Sequence, residues 1–141
     1  MTRPDPYRSF RFRLEVQGTQ LAGFQSVGGL ERTTRIEPYR EGGVNDFEHQ
    51  LVVQTTYPPL MLKRGLVDGE LWDWHQDVID GLVERRTVSI ALMDDAGSEV
   101  WRWICLDAFP SKWTGSDLDA TGNAVAIETV ELVHHGLRRQ Q

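Results

Sequence analysis

Alternation of apolar and charged residues near the start of the chain is the feature that most constrains its fold. In residues 9–16 the side chains of Phe10, Phe12, Leu14 and Val16 take every second position, and charged residues stand between them. Successive side chains of a β-strand point to opposite faces, so this spacing predicts a strand with one buried and one solvated face. Such a strand needs a second layer of structure over its apolar face.

Similar patterns recur along most of the chain. Turn-forming residues divide them, with the most loop-like segment at residues 38–46 and a long, turn-prone connection at residues 110–123. Further strands are predicted at residues 21–27, 31–37, 47–55, 60–65, 87–92, 99–108 and 124–134. We therefore expect a mainly β fold in a single domain over residues 1–141, with two packed antiparallel sheets (a sandwich or a partly closed barrel) and one flanking helix.

One segment is typical of an α-helix, at about residues 69–84. Asp68 stands where an N-cap residue is expected, and Glu70 lies in the first turn, where a negative charge complements the helix dipole. Apolar or amphipathic side chains follow at the spacing of one helix face: Leu71, Trp74, His75, Val78 and Leu82. This helix is expected to cover one flank of the sheets.

The last predicted strand breaks the two-residue period. Val125 and Ile127 belong to one face, whereas Val130 and Leu132 belong to the other. Two explanations are open: a β-bulge shifts the phase, or both faces of the strand are covered, part of the cover coming from another subunit.

Composition argues against several functional classes. Fifteen Lys and Arg residues against 21 Asp and Glu residues give a formal net charge of −6, and the basic residues are dispersed, which disfavours direct or sequence-specific nucleic-acid binding. The single cysteine, Cys105, excludes an intramolecular disulfide and a cysteine-based zinc cluster. No apolar stretch approaches the roughly 20 residues of a membrane span, so we expect no membrane anchor and synthesis in the cytoplasm.

The search for chemistry yields no catalytic, cofactor or metal site. His134 and His135 are adjacent in a predicted strand and so face opposite ways, which disfavours chelation of one ion. Cys105 lies between apolar residues, where thiols are usually inert. The pair Asp94–Asp95 precedes Ala-Gly and is typical of a solvated hairpin turn. The chain is therefore not expected to be an enzyme.

Six stretches, taken in order, resemble one family over about 130 residues. They include the motifs Gly-Phe-Gln-Ser-Val-Gly-Gly-Leu (residues 23–30) and Leu-Lys-Arg-Gly (residues 62–65). The others are residues 5–7 with the strand at residues 10–16, and residues 39–43, 113–115 and 123–137. Together they resemble the tail tube proteins of contractile phages and of phage tail-like extracellular contractile injection systems.

This resemblance implies a structural protein with a fold similar to the type VI secretion tube protein. Six copies would form a ring around a lumen, and stacked rings would form the hollow inner tube that delivers cargo inside a contractile sheath. The implied partners are further copies of the chain, the sheath protein, baseplate and tube-initiator proteins, and cargo in the lumen. Assembly in the cytoplasm would yield a virion or a released injection particle.

The resemblance also implies two contact regions. The glycine-rich arm would lie toward the neighbouring ring: Tyr39, Arg40, Glu41, Gly42, Gly43, Val44 and Asn45. The last predicted strand would help to build the barrel between subunits, through Val125, Ile127, Val130 and Leu132. An acidic chain could present a lumen that repels a polyanion, although net charge does not locate the charge.

Two alternatives remain open at this point. Family members often carry Pro-Gly where this chain has Val52-Val53, and His-Glu-Gly where it has His134-His135-Gly136. These differences raise the possibility of a tube-initiating or baseplate paralogue. The five tryptophans would also suit a monomeric β-barrel adaptor that binds another protein.

Overall fold

The computed structural model describes residues 11–39, 49–122 and 125–140, and these contain ten β-strands and one α-helix. The strands are β1 (Arg11–Val16), β2 (Thr19–Leu21), β3 (Phe24–Gly28), β4 (Thr33–Tyr39), β5 (His49–Thr56), β6 (Leu60–Gly65), β7 (Arg86–Met93), β8 (Glu99–Gly115), β9 (Ile127–Val133) and β10 (Gly136–Gln140). The helix α1 (Glu70–Ile79) lies between β6 and β7.

The long strand β8 belongs to two antiparallel sheets. Its first half pairs with β7 on one side and β10 on the other, and its second half pairs with β9. Sheet I therefore runs β2-β1-β7-β8-β10, and sheet II runs β8-β9-β6-β3. The predicted fold class is confirmed, as a mainly β fold of two antiparallel sheets with one helix, in which the sheet is not closed into a barrel.

The apolar faces of the two sheets form one core with the helix. The alternation in β1 has its predicted result, because Leu14 and Val16 are buried while Arg11 on the opposite face is exposed. The core is built from Leu14, Val88, Ile90 and Cys105 of sheet I, Leu60, Leu62, Val130 and Leu132 of sheet II, and Leu71 and Trp74 of α1. Burial raises the pKa of the Cys105 thiol to about 12, which keeps it protonated and unreactive.

The helix is shorter than its sequence pattern predicted. It ends at Ile79, and Gly81 then takes a left-handed conformation (φ +90°) that turns the chain away from the helix axis. Leu82, which was predicted to lie on the buried face, is instead exposed. Gly69 is the N-cap residue, although the side chain of Asp68 still accepts a hydrogen bond from the Glu70 N–H at 3.0 Å.

Two further predictions need correction, and one strand was missed. The single strand predicted at residues 21–27 is two strands in different sheets, because Gly23 (φ +83°) separates β2 from β3. The connection predicted from residue 110 begins only after Gly115, since β8 continues through Pro110 at a register shift. The strand β10 was not predicted at all.

We predict that Leu14→Ala lowers the free energy of unfolding by about 2–5 kcal/mol, because the fully buried side chain would leave a cavity between the sheets. Leu51→Ala is the matched control, since half of the Leu51 side chain is exposed. Urea denaturation followed by tryptophan fluorescence measures both. Equal losses in the two variants would contradict the core described above.

Candidate assembly surfaces

The strands β4 and β5 form a hairpin that stands apart from both sheets. They pair only with each other among the described residues, through a register that includes one bulge near Arg35. Nearly every residue of these two strands is exposed. A two-stranded ribbon of this kind is at best marginally stable alone in water. Within the described residues, the hairpin β4–β5 therefore lacks the packing partner that the strands of the two sheets have.

Exposed apolar side chains lie on both faces of this hairpin. Ile36 and Val52 are cross-strand partners on one face, and Leu51, next to Val52 in the strand, points to the other. Val52 is 73% exposed, and Ile36 and Leu51 are about half exposed. Covering only one face would leave apolar surface in water, so this arrangement favours a partner that wraps around the hairpin or contacts on two sides.

Of the contact residues predicted in the arm, only Tyr39 lies in the described part of the chain. Tyr39 ends β4, is partly exposed, and lies 6.4 Å (ring centroids) from His49 across the hairpin. Residues 40–45, which include the two glycines, lie outside the described residues. Their predicted contact with a neighbouring ring stays a prediction.

The pairing and burial of β9 explain why its sequence departs from simple alternation. It pairs with β6 in regular register over its whole length, so no bulge shifts its phase against that neighbour. Val130 and Leu132 face the core of their own chain and are fully buried, whereas Ile127 is half-buried on the opposite face and Val125 is exposed before the strand begins. The apolar residue expected at the next core position is replaced by Glu128, which is also fully buried.

An ion pair accommodates Glu128 in the core. Arg64 lies directly across from it in β6, and their Nε and Oε2 atoms are 3.7 Å apart, with both side chains inaccessible to solvent. Arg64 also donates to Asp68 Oδ1 at 2.6 Å and to the Ala22 carbonyl oxygen at 3.3 Å. One arginine thus joins sheet II to the segment that leads into α1 and to the loop before β3.

The carboxylate of Glu128 is the less satisfied member of this pair. Neither of its oxygens has a partner at hydrogen-bonding geometry among the described residues. Burial raises the pKa of Glu128, although the nearby charge of Arg64 opposes this shift. By contrast, the hydrogen bond from the Glu70 N–H, with the pairing to Arg64, lowers the pKa of Asp68. Sequence reasoning missed this cluster because Glu128 and Arg64 are 64 positions apart.

Two tryptophans join the helix to the second half of β8. The rings of Trp72 and Trp113 meet edge to face with centroids 4.7 Å apart. The Trp113 ring also lies over Gly115, where an added Cβ would come within 3.0 Å of it. Gly115 therefore provides the space that this ring occupies.

The outer surface of the helix combines acidic and apolar side chains. Trp72 and Ile79 are about half or more exposed, as is Val83 just beyond the helix. Glu70 and Asp73 lie in the first turn, and the last turn contains no basic residue. A surface with this composition suits a partner that carries both apolar and basic side chains.

The described residues contain no group of three His, Cys, Asp or Glu side chains that could hold a metal ion. His134 is buried, with its Nδ1 3.1 Å from the Gly136 carbonyl oxygen, whereas His135 is exposed and lies 3.2 Å from an Arg85 nitrogen. The two rings therefore contact different groups. The one helix of the described chain is too short and too polar to cross a membrane.

The family model of the T4-like virus tail tube protein gp19 matches residues 8–138. Among solved structures, a chain of the PVC sheath–tube complex, an extracellular contractile injection system in its extended state, is 29% identical, with a TM-score of 0.81 over 97% of this chain and 91% of that one. A chain of the anti-feeding prophage cap (AFP tube terminating cap) is 25% identical, with a TM-score of 0.83 over 99% and 93%.

A more distant likeness concerns the fold alone. Hcp1 from Flavobacterium johnsoniae is 15% identical, with a TM-score of 0.59 over 91% of this chain and 93% of that one. Comparison with curated proteins finds no significant match.

We predict that Glu128→Gln changes how stability depends on pH. Because burial raises the pKa of Glu128 above its ordinary value of 4.5, the native chain holds this proton more tightly than the unfolded chain does. The contribution of Glu128 to the free energy of unfolding therefore falls as the pH rises from about that value through the native pKa. Relative to wild type, Glu128→Gln should gain stability across this window.

Urea titrations at a series of pH values measure this effect. Glu131→Gln is the matched control, because Glu131 lies in the same strand on the opposite, partly exposed face. A difference between wild type and Glu128→Gln that is constant with pH would contradict the raised pKa.

Proposed function

Because the chain belongs to the T4-like virus tail tube protein gp19 family, we propose that it is a structural subunit of the inner tube of a contractile injection particle. Its resemblance to tail tube proteins, read first from six sequence stretches, is confirmed. In the proposed assembly, six copies form a ring, the rings stack into a hollow tube, and the tube carries cargo through its lumen. The proposed role of the chain is structural rather than catalytic.

The single observation that carries this proposal is the detached hairpin β4–β5. It exposes apolar side chains on both faces and pairs with no other described strand. A segment like this gains stability when a second copy covers it, and identical copies offer the same complementary surface at every position of a ring. A monomeric adaptor, which functions without further copies of itself, would not need an exposed apolar hairpin of this kind.

Open sheet edges support the same proposal. Within the described chain, sheet I ends at β2 and β10, and sheet II ends at β3 and the second half of β8. Unpaired edges invite pairing with other chains, and natural proteins usually protect them. Pairing between identical copies around a closed ring would remove these edges, since a closed sheet has none.

The outer surface of the helix is the part of the molecule best suited to the sheath. The cryo-EM structure of the PVC system contains tube and sheath together. In a ring whose strands surround the lumen, a helix packed against the sheets from outside faces away from the axis. The exposed apolar residues Trp72, Ile79 and Val83, among carboxylates, then form a surface for a partner with basic and apolar side chains.

We predict that Val52→Asp abolishes rings and tubes without unfolding the subunit. The side chain is 73% exposed in the single chain, so a carboxylate costs little there, but it would be buried against a neighbour in the assembly. Negative-stain microscopy and the thermal midpoint together separate the two effects. Leu118→Asp is the matched control, because Leu118 is 84% exposed in the loop after β8. Tubes of normal yield from Val52→Asp would refute the role of the hairpin.

We also predict that Ile79→Arg leaves tube formation intact and weakens sheath attachment. The substitution places a cation on the proposed sheath surface, where the carboxylates of α1 favour a basic partner. Co-expression with the sheath and baseplate components, followed by microscopy, would show bare tubes. Leu118→Arg serves as the charge-matched control. Normal sheathed particles from Ile79→Arg would exclude the helix as the sheath contact.

A further inference from the structure

The negative charge of the chain is concentrated in one segment. Residues 68–84, which contain α1, carry six Asp or Glu residues and no Lys or Arg. This segment alone accounts for the formal net charge of −6, and the acidic and basic residues of the remaining chain balance. The acidity of the protein is therefore a property of its helical flank and not of its sheets.

The polar face of sheet I carries more arginines than carboxylates. Glu15 and Glu99 both pair with Arg102, and Glu15 also lies 3.3 Å from Arg13. Two more arginines, Arg11 and Arg138, lie on the same face and are exposed. Neither has an ion pair among the described residues, so the pairing leaves an excess of positive charge on this face.

The polar face of sheet II is also basic. Lys63 of β6 and Lys112 of β8 are exposed there, and Glu131 of β9 lies on the same face, 3.7 Å from Lys112. Lys63 faces Thr129 and has no ion pair among the described residues. Both sheets therefore carry more positive than negative charge on the face turned away from the core.

We propose that the bore of the tube is a basic wall that fits an acidic polypeptide cargo. The inference rests on the proposed function. When strands of six subunits join edge to edge around a lumen, the lumen cannot contain the core, the helix and the second sheet of every subunit. These parts therefore lie outside the ring of strands, farther from the axis. Only the polar face of a sheet can then line the bore, and both such faces are basic.

A polypeptide suits this wall better than a nucleic acid does. Duplex DNA presents one phosphate per about 1.7 Å of its axis, and its binders match this with dense Lys and Arg. Here carboxylates interrupt the basic residues, and uncharged residues such as Ile104 and Thr129 lie between them. Sparse positive charge with intervening carboxylates attracts an acidic protein weakly, which permits both loading and release.

The test uses tubes assembled from the purified chain and first checked by negative-stain microscopy. Tubes are incubated with a short fluorescent poly-glutamate peptide at low salt, pelleted and washed, and the retained fluorescence is compared with that of an uncharged peptide of the same length. The basic face of the sheet that does not line the bore lies outside the tube and could also bind the probe. The same peptide attached to a bead too large to enter the bore therefore measures binding to the outer surface, and this value is subtracted. We expect wild-type tubes to retain poly-glutamate and to release it as salt is raised.

Two double variants act as controls for each other, because each removes two positive charges from an exposed polar face. They are Lys63→Gln with Lys112→Gln on sheet II, and Arg11→Gln with Arg138→Gln on sheet I. We expect loss of retention in one variant and wild-type retention in the other, which also identifies the sheet that lines the bore.

Several results would overturn the inference. These are no retention by wild-type tubes, retention unchanged in both variants or reduced equally in both, and stronger retention of a single-stranded DNA oligonucleotide than of poly-glutamate. Each would refute the basic bore or its cargo while leaving the tube itself in place. Failure of the wild-type chain to form rings or tubes would instead refute the proposed function, and the inference with it.

Discussion

The rest of the structure depends on one constraint, which is that β8 serves two sheets. Its first half pairs with β7 and β10 and its second half with β9, so the strand passes from sheet I into sheet II. Both sheets then enclose one core, and among the described residues neither closes on itself. One chain forms this core, whereas the edge strands of the described sheets have no further partner within it. This separates folding, which one chain accomplishes, from pairing at the edges, which the proposed ring accomplishes.

The Arg64–Glu128 pair shows how the open arrangement is held in shape. Taking both charges out of water is costly, and the ion pair together with the contacts of Arg64 to Asp68 and Ala22 offsets this cost only in part. An apolar pair would suit the core as well, but it could not join three separate segments at one point. The arrangement favours the interpretation that the pair fixes the position of α1 and of the loop before β3 rather than adding stability.

Much of the fold could be predicted because its signals are local. Alternation in β1 and helical spacing around Trp74 depend only on neighbouring residues, and both elements are present. The errors had two causes. The helix was predicted to continue to residue 84 because Leu82 fits its apolar face, although Gly81, a local signal, ends it. The phase of β9 is non-local, because it makes sense only once Arg64 is known to lie across from Glu128.

The contact residues named from the sequence stay a prediction, and the structure shows which of the described ones are accessible. The arm was identified by its resemblance to a family, and the structure adds the exposed hairpin that leads into it, with Ile36, Leu51 and Val52 as its accessible apolar residues. The resemblance placed Val130 and Leu132 among the contacts, and the sequence could not separate them from core residues, because apolar residues at a core position and at an interface look the same. Their complete burial within one chain places Ile127 and Val125 as the accessible members of that group.

Charge and shape are coupled in this molecule. Because the carboxylates cluster on the helical flank, the same net charge of −6 gives an acidic outer surface and basic sheet faces. A tube built from such subunits would have a basic bore and an acidic helical flank on its outside, and each of these two surfaces would then attract a different class of partner. The helix would favour a basic sheath surface while the bore would favour an acidic cargo, so that neither partner competes for the place of the other. Net charge alone cannot reveal such a division, because it depends on which residues the fold places on each face.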